Sequence, residues 1–213
     1  MSLGKVLITG SSSGLGNHLA VYYSEKGHEI LLHGRNEEKL IQIQKKINEN
    51  GEKAKYIVAD LNDEEDLKLL CSKAKQENIK ILINNAGIIC PGLPLKDFSY
   101  EKIESMIKVN LIAPIKIINN LVNILDHVIN INSMVGMEPK KNRSLYAASK
   151  WGLRGFSESL LKEEISFKVL DVYPTNIQTW PERENAMDIH FVLKSIYASM
   201  INNDKQLILD GRK

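Results

Sequence analysis

Short apolar runs alternate with longer amphipathic segments along this chain. Runs of strand length occur at residues 5–9, 29–33, 54–59, 80–84, 128–132, 168–173 and 206–209. Segments with apolar residues three or four positions apart separate nearly all of them, at residues 15–26, 37–50, 63–76, 99–109, 111–125, 146–165 and 186–201. This alternation predicts a doubly wound α/β fold in which helices cover both faces of a seven-stranded parallel sheet, giving three α/β/α layers.

The composition fits one domain without a strong charge bias. The 213 residues are 43% hydrophobic, which suffices for one sizeable core, so we expect a single domain over residues 1–213. Basic and acidic side chains nearly balance at a net charge of +2, and a nucleic-acid partner is not expected. The apolar stretch 111–131 contains Lys116 and Asp126, which makes it too polar for a membrane span. Neither a signal peptide nor a membrane partner is predicted.

Cysteine and histidine usage argues against metal and disulfide chemistry. Cys71 and Cys90 lie far apart, without His or Cys at metal-ligand spacing. Neither a disulfide framework nor a zinc site is predicted, and a reducing, cytoplasmic location fits best. The five histidines are scattered and suggest no metal site or catalytic triad.

A glycine-rich turn stands where the first predicted strand meets the first predicted helix. It reads Thr9-Gly10-Ser-Ser-Ser-Gly14-Leu-Gly16. Backbone N–H groups and a helix N-terminus at such a turn can face a pyrophosphate, and glycine permits the close approach. An ordinary tight strand-to-helix turn is the alternative, because a glycine pattern alone is weak evidence for a dinucleotide site.

A tyrosine and a lysine stand four residues apart in Tyr146-Ala-Ala-Ser-Lys150. On one helix, this spacing places both side chains on the same face. Tyrosine has an unperturbed pKa near ~10, and a neighbouring ammonium favours the phenolate. We therefore expect Lys150 to lower the pKa of Tyr146 and make it usable for proton transfer near neutral pH. A half-buried helix tyrosine beside a solvated lysine is the alternative.

The end of the second predicted strand bears on the choice of cofactor. The sequence there is His33-Gly34-Arg35-Asn36, with no carboxylate to bind a ribose 2′-hydroxyl. The planar guanidinium of Arg35 suits a 2′-phosphate, which favours NADP(H) over NAD(H). In the alternative interpretation, Arg35 is an exposed loop charge and Glu37 or Glu38 lies closer to the ribose.

Together these motifs resemble the short-chain dehydrogenase/reductase family, in the branch with the TGxxxGxG fingerprint. The resemblance covers most of the chain, in order, and implies a Rossmann fold. Besides the glycine-rich turn and Tyr146-Ala-Ala-Ser-Lys150, it rests on Asp60-Leu61, Asn84-Asn85-Ala86-Gly87, Asn110, Ser133, and Pro174 with Ile177 and Thr179.

The resemblance implies a role for each of these residues. Tyr146 is the general acid, Ser133 holds the substrate oxygen, Lys150 also binds the nicotinamide ribose, and Asn110 positions a proton-relay water through local backbone geometry. The implied cofactor contacts are Gly10, Ser12, Ser13, Gly14, Leu15, Gly16, Arg35, Asp60, Leu61, Asn84, Ala86, Gly87, Tyr146, Lys150, Pro174, Ile177 and Thr179. Structural alternatives stay open: Ser133 as a turn residue, Asn110 as a helix-junction cap and Asp60 as a turn cap.

The implied function is the reversible, NADPH-dependent reduction of a small ketone or aldehyde to an alcohol. The alternative is a catalytically silent NADP-binding regulator or redox sensor. The resemblance also implies a homodimer built on helices 111–125 and 146–165.

Three departures from the family pattern concern the substrate and the assembly. Thr175 follows Pro174 where the family usually has glycine, and the segment near 180–186 predicts a shortened substrate lid. Residues 88–95 are a candidate for closing the site instead. Little sequence follows the last predicted strand, which leaves a tetramer in doubt.

The cluster Lys140, Lys141 and Arg143 is either an attractor for an anionic substrate or a solvated loop.

Overall fold

The strands form one parallel sheet. The computed structural model describes residues 3–89, 92–179 and 186–212. Neighbouring strands all pair in parallel, in the order β3-β2-β1-β4-β5-β6-β7. Their bounds are β1 Lys5–Ile8, β2 Ile30–Gly34, β3 Ala54–Val58, β4 Ile79–Asn84, β5 His127–Ile131, β6 Lys168–Pro174 and β7 Gln206–Leu209. The predicted doubly wound fold is confirmed.

Helices connect the strands. They are α1 Gly14–Glu25, α2 Glu37–Glu49, α3 Glu64–Gln76, α4 Tyr100–Ile107, α5 Ala113–Leu121, α6 Ser144–Leu160 and α7 Ile189–Ile201. Side-chain caps fix several helix starts: the Asn36 side chain accepts a hydrogen bond from the Lys39 N–H, and Asp188 accepts one from the Phe191 N–H. Within the described residues, no helix is both long and apolar enough to cross a membrane.

The predicted break between helices 99–109 and 111–125 is instead a π-helical turn, Lys108–Ile112, that joins α4 to α5. Pro114 explains the irregularity. It has no N–H to donate to the carbonyl of Asn110, four residues earlier, so a regular α-helix cannot run through this turn. The turn places Asn110 inside the protein, where 1% of it is exposed.

Two apolar layers hold the helices against the sheet. Side chains from α1, α2 and α7, among them Leu19, Leu40 and Ile196, pack on one face. Side chains from α3, α5 and α6 pack on the other. The strand order reverses between β1 and β4, and a cleft opens beyond the carboxyl ends of the strands, as the doubly wound architecture predicts.

Candidate active site

The cleft encloses about 580 Å³ and brings together most of the residues singled out in the sequence. Three of them are not among the residues that line it: Gly16, Asn84 and Asn110. Those that line it are Gly10, Ser12, Ser13, Gly14, Leu15, Arg35, Asp60, Leu61, Ala86, Gly87, Ser133, Tyr146, Lys150, Pro174, Ile177 and Thr179.

The glycine-rich turn forms one wall of the cleft and requires its glycines. Gly10 and Gly14 have positive φ angles of 66° and 56°, a region that side chains disfavour. A Cβ on Gly10 would stand 2.8 Å from the Cα of Ala86, and one on Gly16 would stand 2.4 Å from the Gly10 carbonyl oxygen. The turn therefore packs too closely against its surroundings for larger residues.

The start of α1 suits an anion. Its N-cap, Ser13, makes no side-chain capping bond, and its first turn contains no acidic residue. The first N–H groups of a helix have no partners within the helix, and the helix dipole is positive there. This donor set fits a pyrophosphate group, as the sequence predicts.

Thr9 ties the glycine-rich turn to the loop after β4. Its hydroxyl oxygen accepts hydrogen bonds from the backbone N–H groups of Asn85 and Ala86, both at 3.0 Å. The Asn85 side chain donates in return to the carbonyls of Thr9 and Gly10, at 2.9 and 3.2 Å. Thr9 is 1% exposed, so these bonds form away from water.

Replacing Thr9 by valine should destabilise the protein by about 2 kcal/mol, because two backbone N–H groups lose their acceptor at nearly constant side-chain volume. Chemical denaturation measures the free energy of unfolding. Thr9→Ser keeps the hydroxyl and is the matched control, expected to lose clearly less. A loss in Thr9→Val no larger than the loss in Thr9→Ser would contradict this, because the hydroxyl would then contribute no more than the methyl group.

His33 organises the same turn and was missed in the sequence, where the histidines suggested no site. Its Nδ1 accepts a hydrogen bond from the Gly10 N–H at 3.2 Å, and its Nε2 lies 3.1 Å from the Ala59 carbonyl oxygen, to which it donates as the neutral tautomer. It thus links the turn, β2 and the end of β3. The apolar run before it, residues 30–32, was the available sign that His33 is buried.

Burial lowers the pKa of His33 to about 4, despite the hydrogen bond to Ala59. Between that value and ~6.5, the unfolded chain binds a proton that the folded protein does not, so His33 costs stability as the pH falls. We expect the difference in unfolding free energy between wild type and His33→Gln to shrink by about 2 kcal/mol from about pH 7.5 to about pH 5. The same substitution at an exposed histidine, His190→Gln, is the control with which the His33 variant is compared. A pH-independent difference for His33→Gln would contradict the assignment of a neutral imidazole.

Arg35 stands at the far end of the cleft from Tyr146, just after β2. Its side chain is 71% exposed, and its Nη1 lies 3.8 Å from Oδ2 of Asp60. Glu37 accepts a hydrogen bond from the Tyr56 hydroxyl at 3.1 Å, and neither Glu37 nor Glu38 lines the cleft. Asp60 also accepts a hydrogen bond from the N–H of Asn62 at 3.0 Å, so it caps a turn as well as lining the cleft.

Ser133, Tyr146 and Lys150 meet at the other end of the cleft. Ser133 follows β5, and its hydroxyl oxygen accepts a hydrogen bond from the N–H of Val135 at 3.3 Å. Ser133 is therefore also a turn residue, as the structural alternative proposed. Tyr146 and Lys150 are 8% and 4% exposed on one face of α6. The Lys150 ammonium donates to the Ile131 carbonyl at 2.8 Å and lies 5.9 Å from the centre of the Tyr146 ring.

The pKa of Tyr146 is shifted in the direction opposite to the sequence-based expectation. Burial raises it, and this outweighs the lowering by a hydrogen bond with Ser133 and by the charge of Arg143. Lys150 is held at the Ile131 carbonyl, and burial lowers its own pKa to about 8. Tyr146 is therefore a protonated phenol at neutral pH and can act as a proton donor.

Asn110 supports the site from behind. Its side chain accepts from the Ile88 N–H at 2.7 Å, and it donates to the Ile88 carbonyl at 2.9 Å and to the Ser149 hydroxyl at 3.2 Å. The Ser149 hydroxyl in turn donates to the carbonyl of Tyr146 at 2.8 Å. These bonds fit the helix-junction alternative and engage the whole side-chain amide. The proton-relay role of Asn110 stays a prediction.

Asn84 lies inside the sheet, where its side chain donates to Asn130 at 2.9 Å. Asn84 does not line the cleft, because successive side chains of a strand alternate in direction and the strand ends at this residue. The neighbouring Asn85 lines the cleft instead.

The rim beside Tyr146 carries both signs of charge. Lys140, Arg143 and Arg212 line the cleft. Arg212 pairs with Glu138 at 2.7 Å and with Asp210 at 2.6 Å, and its hydrogen bonds, with a smaller contribution from the Lys140 charge, lower the pKa of both carboxyl groups. This balance favours the solvated-loop interpretation of the lysine and arginine cluster.

Part of the predicted substrate region lies outside the described residues. This holds for residues 180–185 of the predicted lid, including Trp180, and for Cys90 and Pro91 in segment 88–95. Ile88 and Ile89 of that segment line the cleft. Within the described ranges, no group of three or more His, Cys, Asp or Glu residues could hold a metal ion.

Known proteins share both sequence and fold with this chain. It is 34% identical over 166 residues to nodulation protein G of Rhizobium sp. (strain N33). This match covers 75% of this chain and 66% of that protein. It is 35% identical over 161 residues to a 3-oxoacyl-(acyl-carrier-protein) reductase of Rickettsia conorii, covering 74% of this chain and 65% of that protein. The matched region thus spans about two thirds of each relative.

One solved structure, a metagenomic short-chain oxidoreductase in complex with NADP, superposes with a TM-score of 0.84 at 25% identity and covers 98% of both chains. The sequence model of the family described as short chain dehydrogenase matches residues 4–188. The chain therefore belongs to the short-chain dehydrogenase family of oxidoreductases.

Proposed function

We propose that this protein is an NADPH-dependent oxidoreductase that reversibly reduces a ketone or aldehyde to an alcohol. The observation that carries the proposal is the convergence of Ser133, Tyr146 and Lys150 on the cleft that the glycine-rich turn also lines. Carbonyl reduction needs a proton donor, a group that holds the carbonyl oxygen and a cofactor site in one place. The R. conorii relative, named as a reductase of 3-oxoacyl groups, supports a carbonyl substrate.

The cleft has the features that a dinucleotide phosphate requires. The turn at Gly10 and the start of α1 would hold the pyrophosphate, and Arg35 would hold a 2′-phosphate at the other ribose. The NADP bound to the metagenomic neighbour supports this choice of cofactor. When bound, a reduced nicotinamide supplies the hydride.

The chain's own groups manage the oxygen and the proton. Tyr146 keeps its proton at neutral pH, since burial raises its pKa further above the ordinary tyrosine value of ~10, and it donates this proton to the carbonyl oxygen as negative charge develops there. The Ser133 hydroxyl holds the same oxygen by a hydrogen bond. The nearby Lys150 ammonium stabilises the phenolate that Tyr146 becomes.

A substrate panel tests the proposal. Purified protein with NADPH is offered diketones, quinones, aldehydes and acyl-thioester ketones, and the loss of NADPH absorbance is followed. We expect turnover with at least one of these classes. Tight NADPH binding without turnover across the panel would contradict the proposal and favour a silent regulator or redox sensor.

A further inference from the structure

A ladder of polar side chains crosses the interior of the sheet. Asn84, Asn130 and Asp171 stand opposite one another on β4, β5 and β6. Asn84 donates to Asn130 at 2.9 Å, and Asn130 donates to a carboxylate oxygen of Asp171 at 3.0 Å. All three are at most 4% exposed, at positions where a parallel sheet normally carries apolar residues.

The Asp171 carboxylate is surrounded by donors. Besides Asn130, the Ser157 hydroxyl donates to it at 2.9 Å and the Tyr173 hydroxyl at 3.1 Å. Burial raises the pKa of Asp171 to about 6, and these three hydrogen bonds and the charge of Lys150 oppose the rise. The group is thus an anion at neutral pH. A buried anion is costly for a fold, which points to a use other than stability.

Lys150 lies on the same side of the sheet as this anion. Lys150 and Ser157 are seven residues apart on the buried face of α6, and Ser157 binds Asp171 directly. The Lys150 ammonium binds the carbonyl of Ile131, the residue after Asn130. The ladder therefore fixes Asp171 close to the strand position where Lys150 is anchored.

Within the part of the chain that the structure describes, few other charges face Lys150. The titratable groups packed around the pair are Tyr146 and Arg154 on α6 and Tyr173 on β6, and Arg154 is paired with Glu158 at 2.7 Å. On β5 and just after it, Asn130 and Asn132 offer neutral amides. Burial lowers the pKa of Lys150, and Asp171 is the charge that raises it.

We propose that Asp171 is a positioning residue that keeps Lys150 in its ammonium form at neutral pH. Asn130, which is itself bonded to Asn84, holds the Asp171 carboxylate in place. A carboxylate in a low-dielectric interior favours a nearby ammonium over the neutral amine. The inference rests on the proposed function, in which the Lys150 charge serves Tyr146 and the cofactor.

Carbon-13 labelling of the lysines allows the Lys150 ε-carbon to be titrated by NMR, with Lys150→Met assigning its signal. In Asp171→Asn, the titration midpoint should fall by about one pH unit relative to wild type. Tyr173→Phe is the matched control, because it removes a hydrogen bond to the same carboxylate and keeps the charge. Its midpoint should stay close to the wild-type value. In the pH profile of kcat/KM for carbonyl reduction, the change on the alkaline side should shift to lower pH together with this midpoint.

An unchanged midpoint in Asp171→Asn, or an equal shift in Tyr173→Phe, would overturn the proposal. Asp171→Ser is the second neutral variant, to be titrated if the asparagine variant does not fold. The NMR titration does not depend on turnover. If wild type reduces no carbonyl of the panel, the proposed function fails, while the midpoints still decide whether Asp171 controls Lys150.

Discussion

Tyr146→Phe should lower kcat/KM for carbonyl reduction by about 10²–10⁴-fold, the usual contribution of a positioned general acid. Phenylalanine keeps the ring, which packs in the apolar cluster with Met106 and Leu145, and removes only the hydroxyl. The fold and the cofactor site should therefore persist. NADPH affinity, measured by the fluorescence of the bound cofactor, should be nearly unchanged.

The control for this change is Tyr100→Phe. Tyr100 begins α4, is 82% exposed and does not line the cleft, so its hydroxyl should be dispensable. Wild-type turnover in Tyr146→Phe would mean that another group delivers the proton. A parallel loss of NADPH binding would mean that the hydroxyl serves the cofactor rather than the reaction.

Arg35→Ala should raise the KM for NADPH by about 10–100-fold and leave the KM for NADH nearly unchanged. Hydrogen bonds to charged groups contribute about 1.5–3 kcal/mol, which corresponds to this range. Arg35 is largely exposed and has one weak ion pair, with Asp60, so its loss should not disturb the fold. Steady-state kinetics with both cofactors gives the two values.

Arg35→Lys and Lys39→Ala complete this comparison. Arg35→Lys keeps the charge without the planar fork and should fall between wild type and Arg35→Ala. Lys39 is an exposed cation on α2 outside the cleft, and its removal should affect neither cofactor. Equal changes for NADPH and NADH in Arg35→Ala would refute selection through the 2′-phosphate.

Local sequence signals were sufficient to predict the architecture. Strands of a sheet buried on both faces consist of nearly continuous apolar residues, as in Val6 to Ile8 and Ile81 to Ile83, and such runs are visible without knowing their partners. The turn at Gly10 and Gly14 was equally visible, because its backbone conformation restricts residue choice.

Features that depend on tertiary contacts could not be predicted. Asn84, Asn130 and Asp171 meet only because strands distant in sequence pair in one register, and the sequence shows no link between them. The direction of the Tyr146 pKa shift depends on how deeply α6 buries its first turns, which amphipathic spacing does not give. His33 shows the same limit, since its partners Gly10 and Ala59 come from two other segments.

A crystal structure of the protein with bound NADP⁺ tests the central claim most directly. We expect the pyrophosphate at the glycine-rich turn, the 2′-phosphate against Arg35, and the Tyr146 hydroxyl directed at the space beside the nicotinamide ring where a carbonyl oxygen would lie. A nicotinamide bound away from Tyr146, or a cofactor bound outside this cleft, would contradict the account.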